Sequence, residues 1–217
     1  WSSFADSLDY VPLSAGSEAL KLAVAKAEQA LGAQSCRVHY LSVPPKAALK
    51  VVQQLSEAGL VERSRIVMEK PFGTDLESAV RLNDFVHSVF DESQIFRIDH
   101  FLGKEAVQNI LVLRFANGLL EPVWRQGPIA YVQVDVPEEI DIPETLGLDK
   151  RANFYEQTGA FKDMVVTHLF QVMAFVAMEP PTALEPRAIS EEKNKVFRSL
   201  LPIDPRHVVR GQFSGSR

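Results

Sequence analysis

Proton transfer and anion binding each need a small set of side chains, and three stretches of this sequence bring such sets together. Arg97-Ile-Asp-His-Phe-Leu-Gly-Lys-Glu105 places a carboxylate (Asp99), an imidazole (His100) and an ammonium (Lys104) within six positions. His100 and Lys104 stand four apart, a spacing that predicts one face of a first helical turn, where cations and backbone N–H groups together suit a phosphate. Gly159-Ala-Phe-Lys-Asp-Met-Val-Val-Thr-His168 runs on into the apolar Leu169-Phe-Gln-Val-Met173. Asp163 and His168 in such a helix cost free energy unless each finds a partner, and Asp99 is an acid available to meet the imidazole. Glu69-Lys-Pro-Phe-Gly73 sets Lys70 at a strand's carboxyl end, where ligands of parallel sheets bind. Plainer readings stand beside these: an N-cap for Asp99, a satisfied core histidine for His168, a solvated strand-end Lys70.

The elements that must carry these groups follow from hydrophobic period. Leu20, Val24, Ala27 and Leu31 recur at helical spacing from Ser14, with Gly32 as a stop. Cys36–Val43 alternates like a strand, and Pro44-Pro45 then opens a helix through Leu55. Arg65–Lys70 predicts a second strand, Thr74-Asp75 a cap for the helix after it, and Gln94–Asp99 a third strand. Strands separated by helices of this length predict right-handed βαβ crossovers, hence a parallel sheet. After Asp99 the rhythm changes. Lys104–Phe115 and Gly159–Met178 predict helices, Ala130–Val136 and Val208–Phe213 strands, which together point to an α+β domain with an antiparallel sheet. The expected organisation is residues 1–98 as the later part of an α/β domain and 99–217 as the first part of the α+β domain. Val134-Asp-Val-Pro-Glu138 is echoed by Ile140-Asp-Ile-Pro-Glu144, which reads as a short tandem insertion.

Composition removes several function classes. The chain has 217 residues, 46% apolar and 24% charged, an ordinary globular balance that excludes disordered and fibrous classes. Its 23 basic and 28 acidic residues intermingle to a net charge of −5, which gives no positive field for nucleic acid. No unbroken apolar run approaches the roughly 20 residues of a membrane span, so no membrane partner is expected. Cys36 is the single cysteine, which leaves no internal disulfide or zinc cluster and fits a reducing cytoplasm. The Trp1 start, without Met or leader pattern, and the Arg217 end after a strand-like stretch lead one to expect a piece of something longer.

Taken in order, these motifs resemble the glucose-6-phosphate dehydrogenase family. Arg97–Glu105 is similar to that family's signature, preceded by Glu-Lys-Pro-Phe-Gly and followed by Asp163-x4-His168-Leu and Ala177-Met-Glu-Pro180. The agreement in kind and order covers nearly the whole chain, whereas Glu-Lys-Pro alone also occurs in other sugar dehydrogenases. The resemblance implies a Rossmann-like cofactor domain followed by an α+β substrate domain. It implies hydride transfer from C1 of glucose 6-phosphate to NADP, giving 6-phosphogluconolactone, the opening of the oxidative pentose phosphate pathway. By the same resemblance His168 is the base and Asp99 the carboxylate that fixes its tautomer. His100 and Lys104 match phosphate-binding positions and Asp163 a sugar-binding carboxylate. Glu144, in Glu144-Thr-Leu-Gly-Leu-Asp-Lys-Arg151, matches a second one, with Glu138 as runner-up. Lys70 falls close to both sugar and nicotinamide, and Pro44 is assigned to the cofactor. A homo-oligomer, dimer or tetramer, is the family's habit.

The departures are specific. Phe101 stands where the family usually has Tyr, removing a hydroxyl donor from the phosphate site; a hydrogen bond to a charged group contributes about 1.5–3 kcal/mol. Thr167 replaces an Asn, and Ala48 a Tyr. No Gly-rich turn of the kind that cradles a pyrophosphate occurs anywhere in the chain. The reading therefore keeps alternatives open: a non-catalytic paralogue or assembly partner, or a dehydrogenase of another phosphosugar.

Overall fold

The computed structural model describes residues 1–32, 35–73, 75–124, 127–137 and 158–211. The chain divides into two compact units, Trp1–Ile98 and Asp99–Arg217.

In the first unit, helix α1 (Gly16–Leu31) ends where Gly32 adopts φ +95° and returns its N–H to the Glu28 carbonyl, a conformation that favours glycine. Arg37 then grips the Glu28 carboxylate with two guanidinium nitrogens, at 2.7 and 3.1 Å, tying α1 to the first strand. That guanidinium holds the Glu28 carboxyl below its ordinary range. Strands β1 (Arg37–Leu41), β2 (Ser64–Glu69) and β3 (Ile95–Ile98) form one parallel sheet in that order, with Arg37 opposite Ser64 and Ile66 opposite Ile95. Helices α2 (Pro45–Glu57) and α3 (Leu76–Val89) make the two crossovers. Pro45 opens α2 because its fixed φ suits a first helical position and its missing N–H would have no partner there. A capping box opens α3: the Ser78 N–H donates to Asp75 at 2.8 Å, and the Asp75 N–H donates to the Ser78 hydroxyl at 3.1 Å.

Alternation along β2 turns Ser64, Ile66 and Met68 inward and Arg65 and Glu69 outward. The inward set packs with Leu41, Val52, Val86 and Phe90. On the opposite face Val38, Tyr40 and Phe96 stay exposed, so the described helices cover one side of the sheet. The carboxyl ends of β1 and β2 border a cavity of about 210 Å³, lined by Ser42, Val43, Glu69, Lys70 and Pro71 among others.

The second unit opens with a 3-10 turn (His100–Gly103) and helix α4 (Glu105–Phe115). A π-helix (Phe161–Leu169) runs directly into α5 (Phe170–Ala177), and α6 (Pro186–Arg198) follows. Val107, Phe175 and Met178 form its core, surrounded by Ile110, Val172 and Val196. Arg114 is buried against the end of α5, donating to the carbonyls of Phe175 at 2.6 Å and Met178 at 2.7 Å. The Trp124 indole donates to the Val176 carbonyl at 2.8 Å, so side chains satisfy carbonyls that the helix end leaves open.

Two sequence expectations are corrected here. Residues 130–136 and 208–211 form no strand among the described residues. Their alternation supplies a sheet-facing side, but a strand exists only by pairing, and no partner strand lies in the described part of this unit. His100 and Lys104 do not share an α-helical turn: residues 100–103 wind as 3-10, and Lys104 is extended (φ −70°, ψ 132°) as the N-cap of α4. Helix 158–177 is, by length and composition, long and apolar enough to cross a bilayer, although no unbroken apolar run in it is. Lys162, Asp163 and His168 within it are costly at a bilayer centre, and an interior helix of a globular unit passes the same measure.

Candidate active site

Strand β3 ends at Ile98 and delivers Asp99 to its carboxyl end in an extended conformation (φ −109°, ψ 109°). The Asp99 Oδ1 accepts twice: from the Phe101 N–H at 3.0 Å, capping the 3-10 turn, and from the His168 Nδ1 at 2.5 Å. The capping role and the imidazole-pairing role are therefore held by one oxygen at once. Its other oxygen, Oδ2, is buried and has no hydrogen-bond partner.

His168 is 1% exposed and comes from the π-helix. In an α-helix, residues five apart diverge around the axis, whereas i→i+5 bonding brings residue i+5 back over residue i. The segment thus carries Asp163 and His168 toward the same side. Thr167, in the place of the family's usual Asn, donates its hydroxyl to the Asp163 carbonyl at 2.5 Å, a back-bond within the same helix. With Nδ1 donating to Asp99, the basic nitrogen of the imidazole is Nε2.

Aromatic and cationic groups enclose the pair. The Phe101 ring stacks on the His168 ring, with centroids 4.1 Å apart and planes 14° apart. His100 meets His168 edge-on at 4.7 Å, and the Lys104 ammonium lies 3.9 Å from the Phe101 centroid. Asp99, His100 and His168 offer donor atoms within 4.8 Å of one another. Asp99 and His168 are joined directly by their 2.5 Å hydrogen bond, an acid–imidazole pair.

The second unit thus brings together Asp99, His100, Lys104 and His168, with Asp163 on the same helix as His168. Lys70 and Pro44 belong to the first unit: Lys70 follows β2 and lines the 210 Å³ cavity, and Pro44 is the N-cap of α2. The Lys70–Pro71 peptide is cis. Glu144, and Glu138 as its alternative, lie outside the described residues. Arg97 of the signature serves structure, pairing with Glu92 at 3.0 Å and donating to Asn83 at 2.8 Å. Sequence reasoning missed Arg114 and Trp124. A lone Arg inside an apolar helix was a readable signal for Arg114.

Residues 1–109 match the family described as glucose-6-phosphate dehydrogenase, NAD binding domain, and residues 111–217 match glucose-6-phosphate dehydrogenase, C-terminal domain. The chain belongs to the glucose-6-phosphate dehydrogenase family. A glucose-6-phosphate 1-dehydrogenase of Rhizobium meliloti is 46% identical over 187 residues, covering 84% of this chain and 37% of the relative. One from Arabidopsis thaliana, described as cytoplasmic, is 43% identical over 188 residues, 84% of this chain and 35% of its own. Among solved structures, a glucose-6-phosphate 1-dehydrogenase from Mycobacterium avium matches with a TM-score of 0.76 at 42% identity, over 88% of this chain and 41% of that one. Another, described as in complex with its substrate glucose-6-phosphate, gives 0.70 at 30% identity, over 86% of this chain and 38% of that one. The chain is similar to these family members over most of its own length and spans about two-fifths of theirs. The parallel sheet of the first unit is that of the family's Rossmann-like nucleotide-binding domain.

Proposed function

We propose that this chain carries the catalytic dyad of a glucose-6-phosphate dehydrogenase, which oxidises C1 of glucose 6-phosphate to 6-phosphogluconolactone with hydride transfer to NADP. The observation that supports this reading most directly is the 2.5 Å hydrogen bond between Asp99 and the buried His168. Oxidising a hydroxyl needs a base that takes its proton as the hydride leaves, and an imidazole suits this near neutral pH. His168 Nε2 removes the C1 hydroxyl proton. Asp99 holds the opposite ring nitrogen, fixing the tautomer and stabilising the imidazolium that forms. His100 and Lys104 hold the substrate phosphate, and Asp163 and Glu144 hold sugar hydroxyls.

The bound nicotinamide supplies the hydride acceptor. Its fit to this chain rests on Lys70, an ammonium in a crevice at the carboxyl ends of parallel strands, the usual location for such ligands. Lys70 and Pro44 are assigned to its nicotinamide end, because the chain offers no Gly-rich turn for a pyrophosphate. Preference for NADP over NAD, a cytoplasmic location, assembly as a dimer or tetramer and a place at the head of the oxidative pentose phosphate pathway belong to the same proposal. So does a division of labour between cofactor binding in residues 1–98 and substrate binding in residues 99–217.

The test uses a polypeptide of the relatives' full length that contains these residues, assayed with glucose 6-phosphate and NADP, then with NAD in its place. His168→Ala lowers kcat by about 10²–10⁴-fold, the usual contribution of a general base, while calorimetric affinity for glucose 6-phosphate stays close to the parent's. Turnover unchanged in that variant rejects the base assignment; a parent inactive with either nicotinamide rejects the function.

A further inference from the structure

One residue touches both members of the acid–imidazole pair. Phe101 donates its backbone N–H to the Asp99 Oδ1 at 3.0 Å, and that oxygen accepts from the His168 Nδ1 at 2.5 Å. The buried Asp99 Oδ2 has no hydrogen-bond partner, so among the described residues the Phe101 N–H is the one donor besides His168 that fixes the carboxylate. The Phe101 side chain is itself buried, and its ring stacks on the imidazole with centroids 4.1 Å apart and planes 14° apart. His100, the other ring against His168, crosses it at 77°, so Phe101 alone among the described rings lies parallel to the imidazole. The Lys104 ammonium sits 3.9 Å from the Phe101 centroid, a cation–π contact that restrains the ring's own tilt.

A hydrogen bond at Nδ1 fixes one atom of the imidazole. The ring plane can still roll about that bond, and a roll swings the Nε2 lone pair away from the proton it is to take. A second ring lying flat against the imidazole removes this freedom, because rolling either gives up the stacking contact or drives the two rings together. The backbone and the side chain of Phe101 therefore restrain different partners: the N–H sets the carboxylate, and the ring sets the plane of the imidazole. Both come from the same 3-10 turn, whose C-cap is Lys104. We propose that Phe101 is a positioning residue for His168, its ring holding the imidazole in the plane from which Nε2 reaches the C1 hydroxyl. This inference rests on the proposed function for its catalytic meaning, whereas the restraint on the ring does not depend on it.

In a polypeptide of the relatives' full length, Phe101→Leu removes the ring and keeps an apolar side chain and the backbone N–H. Its kcat is expected to fall about 10–100-fold, the scale of a misaligned reacting group, while the KM for glucose 6-phosphate stays near the parent's. Phe101→Tyr, which retains the ring, keeps kcat near the parent's. A double-mutant cycle separates positioning from general loosening. On a His168→Ala background there is no imidazole to aim, so Phe101→Leu lowers kcat no further, whereas a merely structural defect lowers it equally in both backgrounds. Phe101→Met carries the test if the Leu variant fails to fold. A second readout is independent of turnover: the His168 Nδ1–H, followed by NMR, exchanges with water faster in the Leu variant than in the parent, because a rolling ring breaks its bond to Asp99 more often. Unchanged kcat and exchange in the Leu and Met variants, or an equal loss of kcat in both backgrounds, overturns the inference and leaves the function standing. A parent that turns over no glucose 6-phosphate, yet whose Nδ1–H exchange quickens in the Leu variant, overturns the function and leaves the restraint by Phe101 intact.

Discussion

Phe101 stands where the resembled family usually has Tyr, against the Asp99–His168 pair itself. Its ring lies flat on His168, 4.1 Å between centroids, and shields one face of the imidazole from water. The apolar half of the family's Tyr is thus retained and only the hydroxyl is gone. On the proposed function, restoring it with Phe101→Tyr adds a donor for the substrate phosphate, and a hydrogen bond to a charged group contributes about 1.5–3 kcal/mol, equivalent to a tenfold or larger drop in KM for glucose 6-phosphate in a polypeptide of the relatives' length. The change in kcat is small because the ring stack on His168 persists. A KM that stays at the parent value removes the hydroxyl from any account of phosphate affinity. The sequence made Asp99 and His168 legible because both are polar groups where apolar ones would be cheaper, 69 positions apart and each in need of a partner. The part played by the Phe101 ring was not legible for the opposite reason: in Phe101-Leu102 it reads like any core side chain, and only the 3-10 turn lays it on the imidazole.

At the scale of elements, what is periodic in sequence is what could be foreseen. The three parallel strands and their crossover helices follow from alternation, paired prolines and an Asp cap, and their ends fall within a few residues of the expected ones. The 3-10 turn at His100 and the π-helix at Phe161 carry no such periodicity, since the choice among i→i+3, i→i+4 and i→i+5 bonding is made by tertiary partners; here Asp99 holds both segments. The Lys-Pro-Phe-Gly turn is an element whose residue choice can be tested directly. Gly73 has φ +139°, and a Cβ there would come within 2.6 Å of the Ala79 backbone nitrogen and 2.8 Å of its Cα. Both atoms belong to the first turn of α3 and cannot swing aside as a side chain would. Gly73→Ala should therefore cost about 1–3 kcal/mol or more of stability, read as a lower urea midpoint. A midpoint equal to the parent's would mean that α3 can shift its first turn freely, against the fixed capping box at Asp75.

For the whole molecule, each unit presents apolar surface that its own described residues leave uncovered. In the first, the sheet exposes Val38 and Tyr40 of β1 and Phe96 of β3 on the face opposite α2 and α3. In the second, Phe161 and Val166 of the π-helix stay exposed, although the same segment carries the buried His168. Monomeric proteins seldom leave contiguous apolar surface of this kind open, and the relatives' chains are more than twice as long as this one. The hydrogen bond between Asp99 and His168 is made within one unit. Expressed alone, the chain should enhance the fluorescence of a hydrophobic dye and unfold over a broad denaturant range. A polypeptide of the relatives' length should do neither, because covering those faces both excludes the dye and couples the units into one transition. Sharp, dye-silent unfolding of the 217 residues by themselves would show that the exposed faces need no cover, and would make the dyad a self-sufficient feature of the second unit.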